Sequence, residues 1–273
     1  MRTSIPTQAG RALPNNLLRA KFPGYGDINQ EQFGGHTTYH GLQVSAQRRF
    51  CRGLQFGLAY TWSKSLGTTT FDPMAPDNER RNYGPTAADR RHNLSVNYVY
   101  DLPKLGKRLN NKVVGAVTDD RTLSGITSAV SGAPFTPTFT TSPSIDITGS
   151  ANSTARVNVI GDAQKPTTPG TYFNTAAFAA PAVGTLGSAG VNMVTGPGYL
   201  NWDVTLTKNI RLDEKHVLKF RTEAYNIFNH TQFSALNTAA QFNASGAQIN
   251  NDFGRPTATR SPRVISFALR FEF

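Results

Sequence analysis

The residues from Ile265 to Phe273 read Ile-Ser-Phe-Ala-Leu-Arg-Phe-Glu-Phe, with a large apolar side chain at every second place. In an extended strand this puts Ile265, Phe267, Leu269, Phe271 and Phe273 on one face, and Ser266, Ala268, Arg270 and Glu272 on the other. A soluble sheet protein buries such a face under a second sheet, but it seldom ends its chain flush with the strand. A transmembrane barrel pairs its last strand with its first, and a final strand that runs to the terminal residue serves that closure.

The same two-residue period recurs upstream. Leu42, Val44 and Ala46 alternate with Gln43, Ser45 and Gln47; after the Arg-Phe-Cys-Arg-Gly connection, Leu54, Phe56, Leu58, Tyr60 and Trp62 alternate with Gln55, Gly57, Ala59, Thr61 and Ser63. Leu94, Val96, Tyr98 and Tyr100 stand against Ser95, Asn97, Val99 and Asp101, and Leu200, Trp202, Val204 and Leu206 against Asn201, Asp203, Thr205 and Thr207. Leu218, Phe220 and Ala224 alternate with Lys219, Arg221 and Glu223. Each run has about the length of a tilted membrane strand, roughly 9–11 residues. The period predicts strands at about 37–49, 54–64, 90–102, 113–130, 199–210, 216–228 and 263–273, the fourth interrupted by Asp119, Asp120 and Arg121. Tyr60, Trp62, Tyr98, Tyr100, Trp202 and Phe228 near strand ends suggest aromatic girdles.

The connections alternate in length. Residues 50–53, 103–112 and 211–215 are short links; 65–89, 131–198 and 229–262 are long and rich in Gly, Pro, Ser, Thr and Asn. Outer-membrane barrels have short periplasmic turns and long outer loops, and a periplasmic C-terminus places every short link inside and every long one outside. A compact soluble domain seldom carries loops this long at one end of its sheet. The expected fold is all-β, an antiparallel transmembrane β-barrel represented by a C-terminal segment of about seven or eight strands. Residues 1–36, with Pro6, Pro14 and Pro23, are expected to be a loop or the remnant of a preceding strand, and 37–273 the barrel.

Composition narrows the alternatives. No stretch approaches the roughly 20 consecutive apolar residues of a spanning helix, which says little about strands that show only alternate residues to lipid. No apolar core of secretory-signal length follows Met1, so the reading expects an incorrect start or a piece of a longer protein. The net charge of +11 raises nucleic acid as a partner, but pairs such as Arg48 and Arg49, Arg80 and Arg81, and Arg90 and Arg91 are scattered near turns. No nucleic-acid partner is expected. Cys51 is alone, so no disulfide framework or thiolate cluster is available.

Three segments resemble the C-terminal barrel of Oar-like TonB-dependent receptors. They are Tyr-Phe-Asn-Thr-Ala-Ala-Phe-Ala-Ala-Pro from Tyr172, with Gly-Pro-Gly-Tyr-Leu-Asn-Trp-Asp-Val-Thr-Leu-Thr-Lys-Asn ending at Asn209; Ala88-Asp89-Arg90-Arg91-His92 leading into Tyr98-Val99-Tyr100-Asp101-Leu102-Pro103; and the run from Arg221 to Phe233. The resemblance covers about residue 37 to the terminus. It implies an outer-membrane protein with a carboxypeptidase-regulatory-like domain, a plug and a many-stranded barrel, engaged in TonB-energised import or in surface adhesion and secretion. A TonB-contacting segment and a plug are not found in this sequence, and Val117-Thr118-Asp119-Asp120-Arg121-Thr122-Leu123 departs from the Gly- and Trp-containing strand start of such receptors.

No catalytic constellation emerges, and no enzymatic activity, cofactor or metal is expected. His36 and His40 are four apart, but the surrounding alternation favours a strand or loop, where that spacing sets up no ligand pair. Gly187-Ser188-Ala189-Gly190 is one residue short of a nucleophile elbow. Lys219, Arg221 and Glu223 are candidates to line a solute path, or else pair across neighbouring strands. Ile265, Phe267, Leu269, Phe271 and Phe273 resemble the terminal signal read by the barrel-assembly machinery, through strand addition at an unpaired edge. Outer-membrane lipid is the other expected partner, with the TonB system engaged only through parts absent from this sequence. A complete small barrel and a soluble glycan-binding β-sandwich are the alternatives.

Overall fold

A computed structural model describes residues 6–7, 11–12, 34–68, 79–144, 155–182 and 185–273. Its frame is an antiparallel meander of seven strands: β1 (Thr37–Cys51), β2 (Leu54–Thr68), β3 (His92–Asp101), β4 (Arg121–Val130), β5 (Tyr199–Arg211), β6 (Val217–Tyr225) and β7 (Val264–Glu272). Each strand pairs with its neighbours in sequence, and Tyr83–Pro85 adds a short eighth strand against the far end of β2. Strand makes up 52% of the described residues, and the barrel is not closed. Among the described residues β1 and β7 each have a single sheet partner.

The register aligns the alternating patterns, with exceptions such as Lys208 on the apolar face and Ile126 on the polar one. Leu42 faces Trp62, Phe56 faces Tyr98, and Tyr100 faces Leu123. Leu206 lies between Leu123 and Thr222, and Phe220 faces Leu269. These residues form one continuous apolar face. On the reverse, Thr61 faces Gln43 and Asn93, Thr205 faces Ser124 and Glu223, and Lys219 faces Arg270. A slip of one residue in any pair would exchange the faces of that strand, so the pattern itself fixes the register.

Among the described residues no second sheet covers the apolar face. Phe267, Leu269, Leu42 and Trp62 are all about half or more exposed, whereas every residue of the buried hydrophobic cluster lies between Val157 and Phe253 in the connections. This inverts a soluble sandwich, whose sheets bury their apolar faces against each other, and removes that alternative.

Because the meander is antiparallel, successive connections fall at opposite ends. Residues 52–53, 102–120 and 212–216 lie at one end; the described parts of the connections 69–91 and 131–198, and residues 226–263, lie at the other. The first is a two-residue turn with positive φ at both Arg52 (52°) and Gly53 (79°), the mirror-image turn whose twist suits a hairpin. The third is closed by Asp213, whose Oδ1 accepts the backbone N–H groups of Lys215 at 2.9 Å and His216 at 2.8 Å.

The second short connection corrects the expected strand at 113–130. The strand begins only at Arg121, and residues 112–118 are helical. Two short helices, Leu105–Leu109 and Lys112–Thr118, extend the link expected at 103–112. Asn111 caps the second, its Oδ1 accepting from Val113 N at 2.9 Å and Val114 N at 3.2 Å. The helices meet where Gly106 faces Gly115, too close for a side chain at Gly106. The remnant expected at 1–36 lies mostly outside the described residues; within it Pro6–Thr7 pairs with Arg11–Ala12.

The long connections fold into a cap with its own core. Phe135, Phe173, Phe178 and Phe253 form edge-on ring contacts at 5.2 to 6.0 Å between centroids. A parallel strand pair, Thr138–Ser142 with Ala239–Asn243, joins the two longest connections. The connection between β2 and β3 is tied in by Arg81, which donates to the carbonyls of Gly187 and Leu186, and by Arg156 Nη2, which donates to Asn82 Oδ1 at 2.8 Å.

Candidate binding site

The polar face of β5 to β7 gathers the charged residues singled out in the sequence. Lys219 Nζ lies 2.7 Å from Glu272 on the neighbouring strand, and Arg221 forms an ion pair with Glu223 two places along its own strand. Glu223 Oε2 also accepts from Tyr225 Oη at 3.1 Å. The three residues share one wall, as alternation requires, and each has a partner.

Where this wall reaches the capped end, a cleft of about 460 Å³ opens. Tyr199, Asn201 and Asp203 supply one side from the start of β5, Tyr225 comes from the end of β6, and Arg260 lies just before β7. Asp203 Oδ1 accepts from Asn226 N at 2.9 Å and from Asn201 Nδ2 at 2.8 Å. The buried Gln232 fixes the floor: its Oε1 accepts from Leu200 N at 2.8 Å, and its backbone carbonyl accepts from Arg260 N at 2.7 Å. Arg260 carries its guanidinium 4.3 Å from the centre of the Tyr199 ring, a cation–π contact that holds the side chain over the cleft.

The sequence offered no local signal for this cleft. Its residues come from three segments, and each alternates normally within its own strand; only the register of β5 against β6 brings Asp203 beside Asn226. The expected charged wall was legible because all three members belong to one strand.

Ile265, Phe267, Leu269 and Phe271 stand on the apolar face, opposite Ala224, Thr222, Phe220 and Leu218. Phe267 stacks with Phe220 and Phe271 with Phe273, each at 6.1 Å between centroids. Phe273 is 94% exposed. Aromatic groups collect towards both ends of this face. Tyr60 meets His92 at 2.8 Å and Trp202 lies edge-on to Phe228 towards the capped end; Tyr100 and Phe271 lie near the short connections.

The short-connection end also carries charge. Lys104 Nζ lies 2.5 Å from Asp120 Oδ1, and this hydrogen bond holds the Asp120 carboxyl below its ordinary range. Lys208 bends back from the apolar face to donate to the Asp119 carbonyl, as long basic side chains do at a boundary between apolar and aqueous surroundings. The His216 ring beside Asp213, with the two backbone donors, lowers that carboxyl as well.

His36 stacks on Tyr83 at 5.6 Å, while His40 faces Lys64 on β2, so the two histidines do not converge. Among the described residues no group of three or more His, Cys, Asp or Glu side chains is placed to hold a metal ion. No helix among them is long and apolar enough to cross a membrane. The family model described as "Outer membrane beta barrel domain" matches residues 3–266. No curated protein and no solved structure matches the chain.

Proposed function

The chain belongs to the outer membrane beta barrel domain family, and from that premise we propose that it forms part of the wall and the outer loops of a TonB-dependent receptor. Its localisation is the outer membrane. In this reading the apolar face from Leu42 to Phe271 meets lipid and the polar face from Gln43 to Glu272 lines the lumen. The cap built on Phe173 and Phe253 stands at the cell surface. The role is binding and passage of a solute, without catalysis.

The observation that carries the proposal is the pair of free edges. Among the described residues, β1 and β7 each present one unpaired row of backbone N–H and C=O groups. Such a row cannot remain unsatisfied in hydrocarbon; further strands between β7 and β1 would satisfy both, as direct pairing of the two edges would in a smaller barrel. The three motifs that resemble Oar-like receptors support the same reading. They fall on the β2–β3 connection and β3, on the cap leading into β5, and on β6 with the connection after it.

The test is the size of the native protein in the outer-membrane fraction of the source bacterium, detected with an antibody against residues 131–198. A band several times the 29.7 kDa of this chain is expected. A band near 29.7 kDa that shifts on boiling would instead mean that β1 and β7 close a small barrel, and the receptor reading would fall.

A further inference from the structure

The cleft at the capped end contains polar groups that the fold leaves unused, and they suit one chemical class of ligand. Asp203 spends Oδ1 on Asn226 and Asn201, while no donor among the described residues reaches its Oδ2. The Arg260 guanidinium rests on Tyr199, yet no acceptor among the described residues takes its N–H groups. Tyr225 is 45% exposed, and its hydroxyl is anchored to Glu223. A ring held at its hydroxyl, with an open face, is a ready stacking platform.

We infer that this cleft binds a neutral saccharide, an assignment that deepens the receptor reading and rests on its placing the polar face in the lumen. Three observations select this class. A sugar hydroxyl both donates and accepts, so one ring can donate to Asp203 Oδ2 and accept from Arg260. Its C–H face packs on an aromatic ring, which Tyr225 supplies. An anionic ligand would meet Arg260 but also the carboxylate of Asp203; a cationic one would meet the reverse conflict. The carboxylate and guanidinium together leave the cleft near neutrality. Its volume of about 460 Å³ lies within the range of small-molecule sites. Because the cleft opens on the polar face, the glycan of a lipid anchored on the apolar face has no path to it, so the ligand is a free saccharide.

The variants can be chosen to spare the fold. Asp203→Asn keeps the Oδ1 acceptor for Asn226 and Asn201 and turns only the free acceptor into a donor. Tyr225→Ala removes the platform at an exposed position. Arg260→Lys keeps a cation over Tyr199 but loses the planar fork of donors. The experiment is calorimetric titration of the detergent-solubilised native protein with maltose, cellobiose, lactose and sucrose, with sodium phosphate as an anionic probe. Intact folding of each variant is checked by its shift on boiling.

Saturable binding of at least one disaccharide is expected, weakened about tenfold or more by Asp203→Asn and by Tyr225→Ala in folded protein. No binding of any of the four sugars overturns the inference. So does sugar binding that the variants leave unchanged, or saturable binding of phosphate alone. The receptor reading stands or falls separately on the size of the native protein. A large native protein that ignores these sugars removes the saccharide assignment only; a small closed barrel that binds them removes the receptor assignment only.

Discussion

Phe173 and Phe253 meet edge to face, their ring centroids 5.2 Å apart and their planes at 80°, although they belong to different connections of the meander. Both are almost fully buried, whereas the seven strands of the meander bury no large apolar residue to that degree. The hydrophobic core is therefore in the loops. Truncating Phe173 also removes its contacts with Phe135 and Phe178, and deleting a buried aromatic ring typically costs about 3–5 kcal/mol. Phe173→Ala is expected to open the cap to trypsin added to intact cells while the strands keep their resistance to cold detergent. Loss of that resistance in step with the cap would show that cap and wall fold as one unit.

Leu206 and Thr205 are adjacent at the middle of β5 and face opposite ways. Leu206 lies between Leu123 and Thr222, and Thr205 between Ser124 and Glu223. An arginine on a lipid face near the midplane costs about 2–4 kcal/mol, whereas lumen positions tolerate charge. Leu206→Arg is expected to lower stability by that amount in denaturant unfolding from lipid vesicles, and Thr205→Arg, set beside Glu223, to change it by less than about 1 kcal/mol. Equal losses would mean that the two faces have been assigned wrongly.

Gly187 is a single point on which the cap depends. Its φ is +71°, and a side chain there would begin only 1.7 Å from the carbonyl oxygen of Arg156. That carbonyl belongs to the residue whose guanidinium reaches Asn82 in another connection. Gly187→Ala therefore combines an unfavourable backbone region with a collision, and a loss above about 1 kcal/mol is expected. The readout is earlier trypsin cleavage of the cap on intact cells, with a shift on boiling that matches the unaltered protein.

How much of this was visible in the sequence depends on whether the signal is periodic. Alternation from Leu42 to Trp62, and again from Ile265 onward, set both the strands and the faces, because a period of two leaves one register that keeps apolar residues together. The interrupted period over 113–130 points to one strand, but Asn111 caps a helix over its first part and Gly106 and Gly115 allow a second helix to pack against it. The cap gave no period at all. Phe173 and Phe178 are separated by Asn-Thr-Ala-Ala and lie some 75 residues before Phe253, and only chain crossings such as Thr138–Ser142 beside Ala239–Asn243 unite their connections. The cleft was hidden for the same reason, since Asp203, Tyr225 and Arg260 meet only through pairing of β5 with β6 and the return into β7.

The turn before β6 is expected to respond to acid. Asp213 lies 2.7 Å from His216 Nδ1 and accepts two backbone N–H groups, and these contacts lower its carboxyl below the ordinary value of 3.8. A carboxyl lowered in the folded protein contributes stability that is complete above its unfolded value and is lost as pH falls through the folded one. Exchange protection of the Lys215 and His216 amides is therefore expected to hold at neutral and mildly acidic pH and to fall away below about pH 4. In Asp213→Asn, which keeps an oxygen acceptor but cannot ionise, that acid-dependent loss should be absent. Loss of protection already at pH 6 in the unaltered protein, or an unchanged acid-dependent loss in Asp213→Asn, would overturn the assignment to Asp213.

The end of β7 joins the turn to the assembly proposal. His216 lies flat on Phe271, with centroids 5.5 Å apart and planes 11° from parallel, and Glu272 holds Lys219. Deleting Phe271 to Phe273 thus removes local packing as well as the apolar, exposed end that we take to be read by the barrel-assembly machinery. Two comparisons separate these effects. Lys219→Gln disturbs the same ion pair from β6 and leaves β7 unaltered, whereas Phe273→Ala removes the 94% exposed ring, which stacks on Phe271. If the terminal residues act as a recognition strand, deletion and Phe273→Ala in the native protein both lower its outer-membrane level several-fold, and Lys219→Gln leaves the level near normal. If packing alone matters, Lys219→Gln and the deletion lower it alike while Phe273→Ala does not. Quantitative immunoblotting of membrane fractions, paired with periplasmic fractions to catch unassembled protein, distinguishes the two patterns.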